Sequence, residues 1–241
     1  LPLSWHKAKA KTLKATAAAR GVYGGILLTN RWNIIYATGL WHSSTERSLA
    51  CFLPMDEDEG VIWFHPYLDF ELVRTWWSTD QYYYFDHHHA EGGLPNEGVV
   101  EQGPTVNLYK WWGETLPNLG YGNRTIGIDS GGSVEIGILG EQYSSGHLDM
   151  SGEYETPEPF RPTGGRFGEM ASSMPEATFV DVADIFIRSR IVKDEMENRL
   201  AQRAEDVWSE VHAFARNYVR EKGIGVIDQE VQNAAHLWGL D

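Results

Sequence analysis

The chain has 241 residues, enough for one large domain or two smaller ones, and its 42% of hydrophobic residues suffice for a core. Twenty Lys and Arg against 34 Asp and Glu give a net charge of −14, which repels phosphate backbones and disfavours nucleic acid as a partner. No apolar run approaches the roughly 20 residues that span a bilayer, so no membrane partner is expected. The single cysteine, Cys51, excludes an intrachain disulfide and fits a reducing, cytoplasmic location. It lies in an apolar run, where a buried, inert thiol is expected.

Hydrophobic spacing predicts alternating helices and strands over most of the chain. The first helix, residues 4–20, has Ser4 as its cap, Gly21 as its end and a lysine-rich face expected to be solvated. Strands are predicted at 25–29, 48–53, 61–64, 82–85, 125–129 and 179–182, a turn at 30–33, and helices at 67–77, 106–116 and 134–142. This alternation predicts an α/β layer structure.

Between residues 144 and 165 the periodic pattern disappears, and Gly, Pro, Ser and Glu dominate. Structureless segments of this length are uncommon inside compact domains and usually form lids, binding loops or disordered insertions. The sequence therefore predicts a surface insertion. Whether it becomes ordered on a partner subunit stays open.

A long one-faced helix is predicted from Asp194 to Lys222, and a further helix at 228–238. Asp194 and Glu197 have the spacing of a capping box, and Gly223 can end the helix. An apolar stripe of this length needs a large surface to cover it, and too little chain follows to build one. We therefore expect one complete domain before this helix and only the opening of another after it.

Two short runs resemble the creatinase, aminopeptidase P and prolidase family. Residues 33–39, Asn-Ile-Ile-Tyr-Ala-Thr-Gly, are similar to the Asn-Ile-x-Tyr-x-Thr-Gly run of that family's N-terminal domain. Residues 190–193, Arg-Ile-Val-Lys, followed by Glu197 and Ala204, look like the Arg-x-x-Lys entry into its catalytic domain. In this order and at this separation, the two runs extend the resemblance over nearly the whole chain.

The resemblance implies a ribonuclease-H-like N-terminal domain over residues 1–189 and the first helices of a truncated pita-bread α+β domain over residues 190–241. The family's catalytic domain holds two divalent metal ions (Mn, Zn, Co or Fe) through two Asp, one His and two Glu. Those ligands lie downstream of the entry helix. The resemblance thus implies neither metal ligands nor catalytic residues in this chain, and no activity for it alone. Asn198, Gln202 and the 144–165 insertion depart from the family pattern.

The loop after Gly39 carries the predicted substrate-binding residues, Trp41, His42 and Arg47. In relatives such as creatinase, this loop reaches the active site of the other subunit of the dimer, and an arginine at the spacing of Arg47 meets the substrate carboxylate. A guanidinium can hold a carboxylate through two parallel hydrogen bonds. His42 can donate to a substrate carbonyl or move a proton. The alternative is a polar loop with a packed Trp41 and a surface pair between Arg47 and Glu46.

Three other features carry weaker hypotheses. Asp86 and the histidines at 87–89 form the most metal-like run, with an exposed polar loop as the alternative. Residues 131–133, Gly-Gly-Ser, can present backbone N–H groups to an anion or simply form a turn. The tryptophan pairs at 76–77 and 111–112 suit a core or a dimer surface.

Three functions remain open. The first is the N-terminal part of a dinuclear-metal hydrolase of small amides or dipeptides, in particular an Xaa-Pro peptidase, to which this chain contributes dimer contacts and the clamp. The second is a non-peptidase member, creatinase-like or a dimethylsulfoniopropionate lyase, whose sulfonium would suit ring faces near Trp41 and residues 82–84. The third is a non-catalytic binding module with the family fold. The expected partners are a small-molecule or dipeptide substrate, a second copy of the chain, and the C-terminal half, should that half be a separate chain.

Overall fold

The computed structural model describes residues 1–42, 48–56, 58–84, 107–129, 159, 161–162, 165–223 and 225–239. Its helices are α1 (Leu3–Ala18), α2 (Arg31–Thr38), α3 (Phe70–Arg74), α4 (Leu108–Asn118), α5 (Gly165–Ser173), α6 (Ala183–Ile191), α7 (Glu195–Lys222) and α8 (Asp228–Trp238). Its strands are β1 (Gly25–Leu28), β2 (Ala50–Pro54), β3 (Ile62–Pro66), β4 (Asp80–Tyr84), β5 (Thr125–Ile128) and β6 (Thr178–Asp181). The chain separates into two compact units, Pro2–Ile191 and Val192–Asp241.

The strands form a six-stranded mixed sheet in the order β4-β3-β2-β1-β5-β6. The centre of the sheet, β1-β2-β3, is antiparallel. The outer pairs β3-β4, β1-β5 and β5-β6 are parallel. This arrangement confirms the predicted α/β layer structure. The parallel pairing also brings the carboxyl ends of β1, β5 and β6 to one edge of the sheet.

Helices cover both faces of the sheet, so its central strands are buried on both sides. On one face Leu13 of α1, Ile34 of α2 and Phe186 of α6 share a core with Ile26 and Trp63 of the sheet. On the other face, α4 and α5 contribute Trp112, Leu116 and Met170, which pack with Phe52 and Phe64. Strands buried on both faces read as continuous apolar runs, and that is why the sequence located most of them.

The lysine-rich face of α1 is not a freely solvated surface, contrary to the sequence interpretation. Lys7 forms an ion pair with Glu59, and Lys11 lies 3.5 Å from Asp58. Lys14 is buried and donates to the carbonyl oxygens of Pro54 (3.0 Å) and Asp58 (2.9 Å). These contacts tie α1 to the acidic turn between β2 and β3.

Three local predictions were wrong. Residues 31–33 belong to α2 and not to a turn, because Asn30 caps a helix by accepting from the N–H groups of Trp32 and Asn33. Ser4 is not the cap of α1, which begins after Pro2 with no side-chain cap. Residues 165–173 form α5, a helix that the sequence interpretation did not predict.

Arg161, inside the predicted insertion, donates to the carbonyl oxygens of Ala171, Met174 and Ala177. These acceptors lie at and just beyond the C-terminal end of α5, where helix carbonyl groups lack partners within the helix. Apart from residues 159, 161–162 and 165, the predicted insertion lies outside the described residues, as does the helix predicted at 134–142.

The second unit consists of α7 and α8. Asp194 and Glu197 form the predicted capping box, and Gly223 ends the helix at φ 85°. Phe214 of α7 stacks on Trp238 of α8 with ring centroids 5.2 Å apart. No described residue of α7 is buried, so the surface expected to cover its apolar stripe stays a prediction.

Among the described residues, no helix combines the length and apolar character needed to cross a membrane. Cys51 is fully buried, as the sequence indicated, and burial raises the pKa of its thiol well above the usual value.

Candidate functional site

The helix α2 is held in place by a buried carboxylate at the edge where β1, β5 and β6 end. Asp129, directly after β5, accepts hydrogen bonds from the backbone N–H groups of Thr29 (2.9 Å) and Asn30 (3.1 Å). It also accepts from the side-chain amide of Asn33 at 3.1 Å. Asp129 therefore fixes the point at which α2 leaves the sheet.

Burial raises the pKa of the Asp129 carboxyl, while the hydrogen bonds from Thr29, Asn33 and Asn30 act in the opposite direction. The sequence interpretation treated Asp129 only as the end of a strand. A signal was present, because polar residues that directly follow strands in α/β sheets lie where functional sites concentrate.

The two motifs that carried the family resemblance contact each other. The hydroxyl group of Tyr36 donates to the carbonyl oxygen of Ser189 at 2.8 Å. Arg190 donates to the side-chain oxygen of Asn33 at 3.4 Å. Residues more than 150 positions apart in the chain are thus joined at one end of α2, so the motif residues act as a structural brace.

Gly39 ends α2 and starts the loop that carries the predicted clamp. Its φ of 76° lies in the left-handed region, which glycine adopts without strain. A Cβ at this position would lie 2.6 Å from the ring of His6. The His6 ring is in turn held by its hydrogen bond to the carbonyl oxygen of Tyr36 at 3.0 Å. Glycine is therefore required at position 39 both by the turn and by the close approach of α1.

After Gly39 the loop alternates buried and exposed residues. Leu40 and His42 are 2% and 4% exposed, whereas Trp41 between them is 64% exposed. The carbonyl oxygen of Thr38 accepts from the indole N–H of Trp76 at 2.9 Å, which ties the start of the loop to the end of α3. Two buried neighbours thus hold an exposed indole in a defined position.

Trp41 lies beside two residues that the sequence interpretation did not select. Its ring meets that of Trp32 edge-on, with centroids 6.2 Å apart. The guanidinium carbon of Arg31 lies 5.1 Å from the Trp32 ring centroid and 5.6 Å from that of Trp41. Both distances are in the range of cation–π contacts. The sequence interpretation did not select Arg31, because it placed residues 30–33 in a turn and predicted no helix there.

The surroundings of His42 disfavour the charged form of its ring. Burial lowers its pKa, and the charge of Arg31 lowers it further, whereas the carbonyl oxygen of Leu40 and the carboxylate of Asp69 act to raise it. Its Nδ1 lies 3.5 Å from the Leu40 oxygen, the edge of hydrogen-bond range. A buried imidazole whose charged form is disfavoured fits packing better than proton transfer to an exposed substrate.

The structure brings Trp41 and His42 into one loop, but Arg47 lies outside the described residues, as do the histidines at 87–89 and the Gly-Gly-Ser run at 131–133. Of the tryptophan pairs, Trp77 and Trp112 are buried in the two cores, and Trp76 is 37% exposed. Within the described ranges, no three His, Cys, Asp or Glu side chains are grouped to hold a metal ion. The described residues thus do not fit a dinuclear metal centre.

Comparison with known proteins gives a structural result. Neither a protein-family model nor a curated protein sequence matches the chain. The sheet and helices superpose, however, on solved peptidase structures. The chain has the fold of prolidases and X-Pro aminopeptidases.

This prolidase-like fold matches a prolidase from Thermococcus sibiricus at a TM-score of 0.54 and 17% identity, over 95% of this chain and 48% of that one. An X-Pro aminopeptidase from Thermotoga maritima gives a TM-score of 0.55 at 13% identity, over 94% of this chain and 47% of that one. Dipeptidase PepE from Mycobacterium ulcerans gives 0.53 at 14%, over 98% and 49%. The chain therefore spans about half the length of these structures. Identities this low establish the fold alone.

Proposed function

We propose that this chain is the N-terminal part of a hydrolase of small amides or dipeptides, specifically an Xaa-Pro peptidase. Its active centre would hold two divalent metal ions on residues that follow this chain in sequence. The chain itself would supply dimer contacts and the substrate-facing residues Trp41 and Arg47, with His42 as support for the loop.

The observation that carries this proposal is the placement of Trp41. An indole that is 64% exposed is anchored on both sides by buried residues, and its loop starts at a glycine that no other residue replaces without strain. Exposed large apolar groups held rigidly are typical of binding surfaces, because they bury area on contact at little cost in conformational entropy. The fold match to prolidases supports a dipeptide as the group contacted.

The lyase alternative receives less support. A sulfonium is a cation, and the guanidinium of Arg31, 5.1 and 5.6 Å from the ring centroids of Trp32 and Trp41, would repel it. In β4, Tyr82 stacks on Phe64, with centroids 5.6 Å apart. Tyr83 packs within 5.1–6.2 Å of the rings of Tyr67, Phe70 and His65. These rings are engaged in packing within the first unit.

The test uses the longer protein that contains this chain together with its downstream residues. We expect Trp41→Ala and Arg47→Ala each to lower kcat/KM for an Xaa-Pro dipeptide by about 10–100-fold, because each removes a contact to bound substrate. The matched control is Tyr23→Ala, since Tyr23 is a comparably exposed aromatic residue (67%). It should leave kcat/KM unchanged.

Full activity of both Trp41→Ala and Arg47→Ala would rule out the clamp. Absence of the two Asp, one His and two Glu from the downstream sequence would rule out the hydrolase and favour a non-catalytic module. Turnover of a sulfonium acid in place of the dipeptide would favour the lyase.

A further inference from the structure

Arg31 occupies an unusual environment for a cationic side chain. It is partly buried, and the rings of Trp32 and Trp41 lie 5.1 and 5.6 Å from its guanidinium carbon. Its Nε atom is buried and has no hydrogen-bond acceptor. Within the described ranges, no carboxylate lies within ion-pair distance of the guanidinium, including that of Asp69, which acts on the neighbouring His42.

Other arginines of the same unit have oxygen partners. Arg20 forms two hydrogen bonds to the carboxylate of Asp184, at 2.5 and 2.7 Å. Arg124 donates to Asp56 at 2.8 Å, and Arg161 donates to backbone carbonyl groups. A partly desolvated charge is costly unless an opposite charge or hydrogen-bond acceptors compensate it. In the described part of the chain, aromatic rings are the compensation that Arg31 receives.

We propose that Arg31, Trp32 and Trp41 form a binding site for the carboxylate group of a small organic anion with an apolar body. The two terminal amino groups of the guanidinium would donate to the two carboxylate oxygens, in the planar end-on arrangement that this pair favours. The indoles of Trp32 and Trp41 would contact the apolar body of the ligand. Binding involves no covalent step.

The chemistry of the site selects a monocarboxylate. A guanidinium can also pair with a phosphate group, but the net charge of −14 disfavours doubly charged anions and polyanions. Burial lowers the pKa of the neighbouring His42, which disfavours a second positive charge beside Arg31. The guanidinium suits a flat, singly charged carboxylate, and the two indoles suit an apolar group next to it. The expected ligand is therefore a carboxylate attached to a ring or a short aliphatic group.

The test uses the ¹⁵N-labelled chain at constant ionic strength, with N-acetyl-L-proline as the probe. The indole N–H resonances of Trp32 and Trp41, assigned from Trp32→Phe and Trp41→Phe variants, should shift and saturate with a Kd of about 1–10 mM, since single exposed ion pairs are weak. N-Acetyl-L-prolinamide has the same ring but no carboxylate, and it should give no saturating shift.

Two variants of Arg31 distinguish the effect of its planar pair of N–H donors from the effect of its positive charge. Arg31→Gln should weaken binding by at least about tenfold, and Arg31→Lys should weaken it as well, because an ammonium lacks the planar pair of donors. The matched control is Arg74→Gln, an exposed arginine of α3 that pairs with Glu71. Its removal should leave the titration unchanged.

Trp41→Leu gives an independent measurement, because this exposed residue can be replaced without disturbing a core. It should weaken binding of acetylproline while the Trp32 resonance still reports it. Equal shifts with the amide, or unchanged titrations in Arg31→Gln and Trp41→Leu, would overturn the proposal. These results are separate from the hydrolase proposal, which is tested by turnover of the longer protein.

Discussion

At the scale of single residues, the carboxyl group of Asp181 at the end of β6 is the clearest source of pH dependence. Burial and, to a smaller extent, the nearby charges of Asp184 and Asp129 raise its pKa to about 6. Its hydrogen bond from the N–H of Ala183 (2.9 Å) and the charge of Arg20 oppose this shift. Ionised Asp181 therefore destabilises the folded chain at neutral pH.

We expect Asp181→Asn to stabilise the chain at pH 7.5 by up to about 3 kcal/mol. Since the folded pKa lies above the unfolded value of about 3.9, the folded chain binds more protons between about pH 4 and 6, and wild-type stability falls as the pH rises through this range. Asparagine keeps an oxygen for the Ala183 N–H but carries no charge. Denaturant unfolding at pH 7.5 and pH 4 measures the difference.

The stabilisation should shrink steeply toward pH 4, where Asp181 is protonated in the folded state and about half protonated in the unfolded state. Glu176→Gln, at an exposed turn position, is the control and should leave the unfolding midpoint unchanged at both pH values. A stabilisation of Asp181→Asn that is the same at pH 4 and pH 7.5 would contradict the assignment.

At the scale of elements, the end of α2 depends on both backbone conformation and space. Gly39 and Gly21 have nearly equal positive φ angles, 76° and 82°. A Cβ on Gly39 would meet the His6 ring at 2.6 Å, whereas a Cβ on Gly21 would meet no atom within 4 Å. The two glycines thus share the conformational requirement, and steric overlap arises only at Gly39.

We expect Gly39→Ala to destabilise the chain by about 2–4 kcal/mol, the sum of a left-handed alanine and an overpacked contact. Gly21→Ala carries only the first cost and should lose about 1 kcal/mol. Equilibrium unfolding of both variants measures the difference. His6→Ala in the Gly39→Ala background should recover the steric part, and equal losses at the two glycines would argue against the contact.

Element prediction succeeded where the pattern was local. The capping box of α7 and the buried runs of β1, β2 and β5 follow from neighbouring residues, so they were found. The helix α2 was missed because Trp32 and Asn33 interrupt the apolar spacing, and because Asn30, which caps the helix, is also typical of turns. The helix α5 was missed because it starts at a glycine and has few strongly helical residues.

At the scale of the whole molecule, the buried hydrophobic residues of the described chain all lie between Ala10 and Phe186. They form two clusters, one on each face of the sheet. Both clusters belong to the unit Pro2–Ile191. This unit therefore contains a core of its own, as expected of a domain that folds independently.

We expect residues 1–191 to fold without residues 192–241 and to unfold at the same denaturant midpoint as the full chain. Circular dichroism and fluorescence during denaturant unfolding measure this. A chain that ends at Asp181 is the contrasting case and should not fold, because it lacks Ile185 and Phe186 of the core and the Arg20–Asp184 ion pair. Failure of residues 1–191 to fold would show that residues 192–241 contribute to its core.

In the candidate site too, the sequence identified the residues that belong to a local motif and missed those defined by long-range contacts. Trp41, His42 and the glycine before them were found because they follow a short recognisable run. Sequence reasoning did not find Arg31, Trp32 and Asp129. Their roles arise from contacts with residues distant in the chain, and the residues next to them in sequence give no sign of those contacts.

By itself, the sequence determined the α/β class, most of the strands, the long capped helix and the glycine turn before Trp41, because apolar periodicity, caps and turns act over a few residues. Only the tertiary structure decided the strand order, the buried Asp129 that anchors α2, the hydrogen bond between Tyr36 and Ser189, and the contacts of the Arg31 guanidinium with two indoles. These features depend on residues that are distant in the chain, and their contact energies exist only once the sheet has brought them together.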